Sequence, residues 1–82
     1  MINREKLRAR ITVNPKILVG KPTIRGLRIS VTQVLDALAA GVPTQELLEE
    51  YPDLELEDIQ AVLLYAAELV SEERVYPVGV PG

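Results

Sequence analysis

The chain has 82 residues, 48% of them apolar, with no cysteine, histidine, phenylalanine or tryptophan and a formal charge of −3. This excludes disulfides, zinc sites with Cys/His ligands, cysteine or histidine nucleophiles and a histidine general base, and leaves one small domain with an aliphatic core. The near-neutral total hides a segregation: through Ser30 the cations Arg4, Lys6, Arg8, Arg10, Lys16, Lys21, Arg25 and Arg28 face Glu5 alone, a sum of +7, whereas from Val31 on Arg74 faces eleven carboxylates, a sum of −10.

Such an asymmetry points to a partner: nucleic acid, an acidic protein, or the opposite end of a second copy. A core this light makes an oligomer attractive. The sequence has no run of eighteen apolar residues and no signal-peptide core, so a soluble cytoplasmic protein is expected.

In chain order, Leu7, Ala9, Ile11 and Val13 alternate with Arg8, Arg10 and Thr12. Period two predicts a half-buried strand over 7–13 with a basic outer face. Asn14-Pro15 ends it, and a second extended stretch is expected over 17–19. The segment 20–29 is punctuated by Gly20, Pro22 and Gly26, which predicts turns between short extended pieces.

Ser30-Val31-Thr32-Gln33 is a capping-box pattern, and Val31, Val34, Leu35, Leu38 and Ala39 then share one helical face. Gly41 stops this helix. After Val42-Pro43, Thr44 is expected to cap a short helix through Glu50, which Tyr51-Pro52 ends. The longest helix is expected over 56–73, with Glu57 and Asp58 favoured in its first turn by the helix dipole. Ile59, Val62, Leu63, Ala66, Leu69 and Val70 make one apolar face of it, and Ala61, Leu64, Tyr65 and Ala67 extend that face nearly all round. Two short helices and a hairpin cannot cover so much, so Ala61, Leu64, Tyr65 and Glu68 are expected to meet a second subunit. The tail, 74–82, reads as extended.

Three constellations are candidates for function. Ala37, Gly41 and Leu47 have helix-turn-helix spacing. The would-be reading helix, however, carries Gln45, Glu46, Glu49 and Glu50, which phosphates repel. Arg8, Arg10 and Thr12 on one strand face, with Lys21, Arg25 and Arg28 nearby, form a candidate interface for nucleic acid or an acidic protein. A solvated strand edge guarded by charge is the plainer reading of the same residues. A ribbon-helix-helix protein would run from strand directly into helix, and here about seventeen residues intervene. The acidic stretch 46–58 fails the calcium-loop count, since the sixth position from Asp53 is Asp58 and the twelfth is Leu64. No catalytic constellation, metal site or cofactor is expected, and an enzyme is not.

The string Lys21-Pro22-Thr23-Ile24-Arg25-Gly26-Leu27-Arg28-Ile29 resembles the bacterial and archaeal family called domain of unknown function four-three-three. The resemblance runs over about residues 11–69 and takes in Gly41, Tyr51-Pro52 and Glu57-Asp58-Ile59. Leu27, Ser30 and Glu55 stand where that family usually has Thr, often Pro, and Ser or Thr.

The resemblance implies a homeodomain-like three-helix core and a VapB-like antitoxin, with a PIN-like nuclease toxin encoded beside it. It further implies that an arm bearing Arg25 or Arg28 blocks the acidic, metal-holding pocket of such a toxin by bidentate pairing.

The expected architecture is therefore mainly α. A basic arm or short β-hairpin (1–30) precedes a three-helix, helix-turn-helix bundle (31–73) and an extended tail (74–82), all in one compact domain that forms a homodimer. The expected role is a non-catalytic antitoxin that binds its toxin, with operator DNA as a further candidate partner. The alternatives are a DNA-binding regulator without a toxin and a structural interaction module.

Overall fold

A computed structural model describes residues 3–72. The chain runs α1 (Arg4–Arg8), β1 (Ile11–Val13), a one-turn 3₁₀ segment (Leu18–Gly20), β2 (Pro22–Ile24), α2 (Val31–Ala39), α3 (Thr44–Glu50) and α4 (Leu56–Glu72). It is mainly helical with a two-stranded antiparallel hairpin near its N-terminus, as expected.

The basic segment departs from its expected local form. The strand expected over 7–13 is formed only over Ile11–Val13, and Leu7 and Arg8 belong instead to the helix Arg4–Arg8. Asn3 Oδ1 accepts from the Glu5 N–H at 2.7 Å and the Lys6 N–H at 3.4 Å. That cap, with Glu5 in the first turn, outweighs four residues of alternation. Leu7 is buried, and α1 lies along α4, where Arg8 Nε donates to Glu68 Oε1 at 2.8 Å.

The strand proper pairs Ile11 with Ile24, Thr12 with Thr23 and Val13 with Pro22. Thr12 does not join Arg8 and Arg10 on an outer face. Its Oγ1 lies 3.3 Å from Thr23 Oγ1 and accepts from the Gly26 N–H at 3.0 Å. The extended stretch expected over 17–19 is instead a turn, with Leu18 and Val19 in left-handed backbone.

Beyond β2 the chain reverses at once. Arg25 (φ 48) and Gly26 (φ 73) are both left-handed, and the Leu27 N–H reaches Ile24 O at 2.8 Å. This is the pattern of a type I′ hairpin turn. It lays Ile29 beside Ile24 and brings Ser30 to Thr23 as an isolated bridge.

Ser30 then caps α2 as expected: its Oγ accepts from the Gln33 N–H and Gln33 Oε1 accepts from the Ser30 N–H. Such caps contribute about 1 kcal/mol. Gly41 (φ 89) closes the helix, with Val42 N–H to Ala37 O and Gly41 N–H to Leu38 O, a Schellman pair. Ala39 turns outward and Ala37 takes the inner position. Thr44 is the first residue of α3 rather than its cap; Pro43 holds that place without a side-chain hydrogen bond.

The core consists of Ile24, Val31, Val34, Leu47, Leu54, Ile59 and Val62. Helix α4 is covered on a second side by α1, which the sequence did not anticipate. Of the expected dimer contacts, Ala61 is 1% exposed within this chain and offers no surface to a second copy, and Glu68 is paired to Arg8. Leu64 and Tyr65 are half-buried, and Leu63, Leu69 and Val70 are half or more exposed. The end of the helix expected at Glu73 and the tail 74–82 lie outside the described residues. No helix among the described residues is long and apolar enough to cross a membrane.

Candidate protein-binding surface

The loop 20–29 is held from behind by one buried carboxylate. Asp58 stands at the third position of α4, where an acidic residue turns back on the start of its own helix. Its Oδ2 accepts from the Glu55 N–H at 2.8 Å. Arg25 approaches side-on, Nε to Oδ1 at 3.0 Å and Nη2 to Oδ2 at 2.8 Å, and Nη2 also donates to Asp53 O. Arg10 adds Nη1 to Asp58 Oδ1 at 2.9 Å and to Glu55 Oε1 at 2.8 Å.

Asp58 is 0% exposed, yet both its oxygens are fully engaged, and no buried side-chain polar atom among the described residues lacks a partner. Burial by itself pushes its carboxyl up. The hydrogen bonds from Arg25, the Glu55 N–H and Arg10 outweigh that and hold it below the ordinary aspartate value.

This cluster explains a strained residue. Arginine is a poor fit to left-handed backbone, where Asn, Asp or Gly normally sits. Arg25 holds that conformation because its guanidinium is clamped across Asp58. The turn is thereby tied to the start of α4.

Several expected binding residues are consequently committed within the chain. Arg25 and Arg10 serve Asp58 and Glu55, and Arg8 serves Glu68 with Arg4 nearby at 3.8 Å. Arg25, expected to pair with an outside carboxylate, pairs within this chain with Asp58. Lys21 and Arg28 are exposed, and neither has a carboxylate within 4.0 Å among the described residues. The sequence placed Asp58 in the first turn of this helix, as found, but not as the acceptor of Arg25 and Arg10. The available signal was its position three residues after Glu55 at a helix start.

Two clefts flank this framework. One, of about 310 Å³, is lined by Arg8, Ile11, Val13, Tyr65, Glu68 and Leu69. The other, of about 290 Å³, lies between the 3₁₀ turn and the start of α2, lined by Leu18, Val19, Lys21, Ser30 and Gln33. On a different face, α3 exposes Gln45, Glu46, Glu49 and Glu50 with no cation among them.

The chain is similar to known proteins across this same framework. The uncharacterized protein y4eO of Sinorhizobium fredii is 39% identical over 56 residues, which make up 68% of this chain and 25% of that protein. The chain thus spans about a quarter of the length of that curated relative. A crystal structure of a DUF433 member protein from Anabaena variabilis superposes with a TM-score of 0.72 at 31% identity, covering 83% of this chain and 67% of that one. Residues 11–66, from β1 into α4 and including both Arg25 and Asp58, match the family described as protein of unknown function (DUF433), and the chain belongs to that family.

Proposed function

We propose that this chain is a non-catalytic, cytoplasmic, antitoxin-like protein that neutralises a PIN-like nuclease toxin by direct binding. The reading is carried by the loop 20–29. Asp58 makes it rigid, and it presents Lys21 and Arg28 outward without internal counter-charges. A rigid cationic loop loses little conformational entropy on docking and suits an acidic protein surface.

DNA contact by α3 is disfavoured by its three carboxylates, so operator binding is assigned to the free cations if it accompanies toxin binding. A second copy fits the cleft at Val13 and Leu69. Alternation along β1 turns the backbone groups of Ile11 and Val13 away from β2, toward an edge with no strand beside it among the described residues.

The test is co-expression with the product of the adjacent reading frame. The wild-type chain is expected to co-purify with it and to restore growth. Lys21→Ala plus Arg28→Ala is expected to weaken the complex at least tenfold at unchanged thermal stability. Sedimentation of the same samples reads the stoichiometry. Co-purification that is indifferent to both substitutions would remove the loop from the proposal.

A further inference from the structure

The 3₁₀ turn between the strands is made of three successive left-handed residues: Leu18 (φ 49), Val19 (φ 55) and Gly20 (φ 76). For glycine this is ordinary. For valine it is a steric outlier, because a branched Cβ crowds the backbone in that region. Strain of this kind persists only where the surroundings hold it. Here the Ile17 N–H reaches Asn14 O at 2.9 Å, the Gly20 N–H reaches Ile17 O at 3.1 Å and the Lys21 N–H reaches Leu18 O at 3.1 Å. Asn14 Oδ1 also accepts from the Lys16 N–H at 2.9 Å.

The side chain so held does nothing for the fold. Val19 is 93% exposed, the most exposed large hydrophobic residue among those described. Neither packing nor solubility accounts for an aliphatic knob fixed in water at a cost in backbone energy. Its surroundings are cationic. Lys16, Lys21 and Arg28 are exposed, none has a carboxylate within 4.0 Å among the described residues, and the sequence carries no acidic residue between Glu5 and Asp36.

We propose that the Val19 knuckle is the apolar anchor of the docking surface, and that it seats in an apolar socket rimmed by carboxylates on an acidic partner protein. The inference rests on the reading of the chain as a toxin-binding protein and names the chemistry of that contact. The knob supplies buried apolar area, and the lysines and Arg28 supply orientation and charge complementarity at the rim. Preorganisation is what the strained backbone provides, since the knob needs no rearrangement to dock.

The test compares wild type, Val19→Gly, Val19→Ala and Lys21→Glu, each titrated with the product of the adjacent reading frame and each melted alone. Val19→Gly removes both the strain and the knob. It is expected to melt a few degrees higher than wild type and yet bind at least tenfold more weakly. Val19→Ala keeps the turn stiff and is expected to bind more weakly as well, and Lys21→Glu to bind more weakly with its melting unchanged.

Wild-type binding that both Val19 variants retain overturns this proposal alone. Absence of wild-type binding overturns the toxin-binding reading and this proposal with it. Loss of self-association instead of partner binding in Val19→Gly assigns the knuckle to a second copy and also overturns the proposal.

Discussion

Asp58→Ala is expected to remove more than half of the protein's stability at 25 °C while leaving it mostly folded. A domain of this size has about 5 kcal/mol of stability to lose. Removing the carboxylate strips Arg25 and Arg10 of their shared acceptor, leaves the Glu55 N–H unpaired and sets two guanidinium groups against each other. Breaking a buried pair by deleting one partner costs about 3–5 kcal/mol. Arg10 and Arg25 keep 27% and 35% of their side-chain exposure, so the lower end, about 3 kcal/mol, is expected here. Asp58→Asn, which keeps the shape and one acceptor, is expected to lose about half as much. Urea midpoints at constant slope read both values.

The same carboxylate gives stability an acid limb. Its folded pKa lies below its unfolded one, so its contribution is complete above the unfolded value of about 3.9 and drains away as pH falls through the folded value. Glu68 is shifted in the same direction by its hydrogen bond from Arg8. Wild type is therefore expected to lose stability on acidification below about pH 4, and Asp58→Asn to lose less over the same range. A limb of equal steepness in both proteins would place its origin elsewhere.

Leu47→Ala is the second large effect, expected at about 3 kcal/mol. Leu47 is 1% exposed and is the one fully buried residue of α3. That helix has seven residues and no side-chain cap, and it carries Glu46, Glu49 and Glu50. A helix so short has no stability of its own and is held by its anchor. Hydrogen exchange should show α3 amides released far more than those of α2 and α4. Uniform acceleration across the chain would mean that Leu47 supports the whole core rather than one helix.

The parts of the fold legible in the sequence are those specified by neighbours in the chain. Ser30 and Gln33 form their capping box and Gly41 its left-handed stop because each depends on residues within a few positions. Leu47 is an anchor because the turn before it is fixed. The charge pattern was legible as a fact but not in its meaning. Arg4, Arg8, Arg10 and Arg25 close on Glu55, Asp58 and Glu68, as many as 64 positions away for Arg4 and Glu68, so half of the cationic segment finds its counterpart inside the chain. No local rule connects Arg25 to Asp58; the connection exists only once the hairpin has been laid against α4. Residues 4–8 misled for a related reason: five residues offer too few turns for a helical period, and the alternation from Leu7 crosses the boundary between a helix and a strand. The Val19 knuckle was illegible because nothing in Ile17-Leu18-Val19 announces left-handed backbone.

Arginines that build the fold, beside a loop proposed to dock a partner, are the central claim. Hydrogen exchange of the chain alone and in complex with the product of the adjacent reading frame tests it most directly. The account predicts protection concentrated over residues 16–29, with α3 unchanged. Protection confined to α3 and the exposed face of α4, with residues 16–29 exchanging as in the free chain, would contradict it.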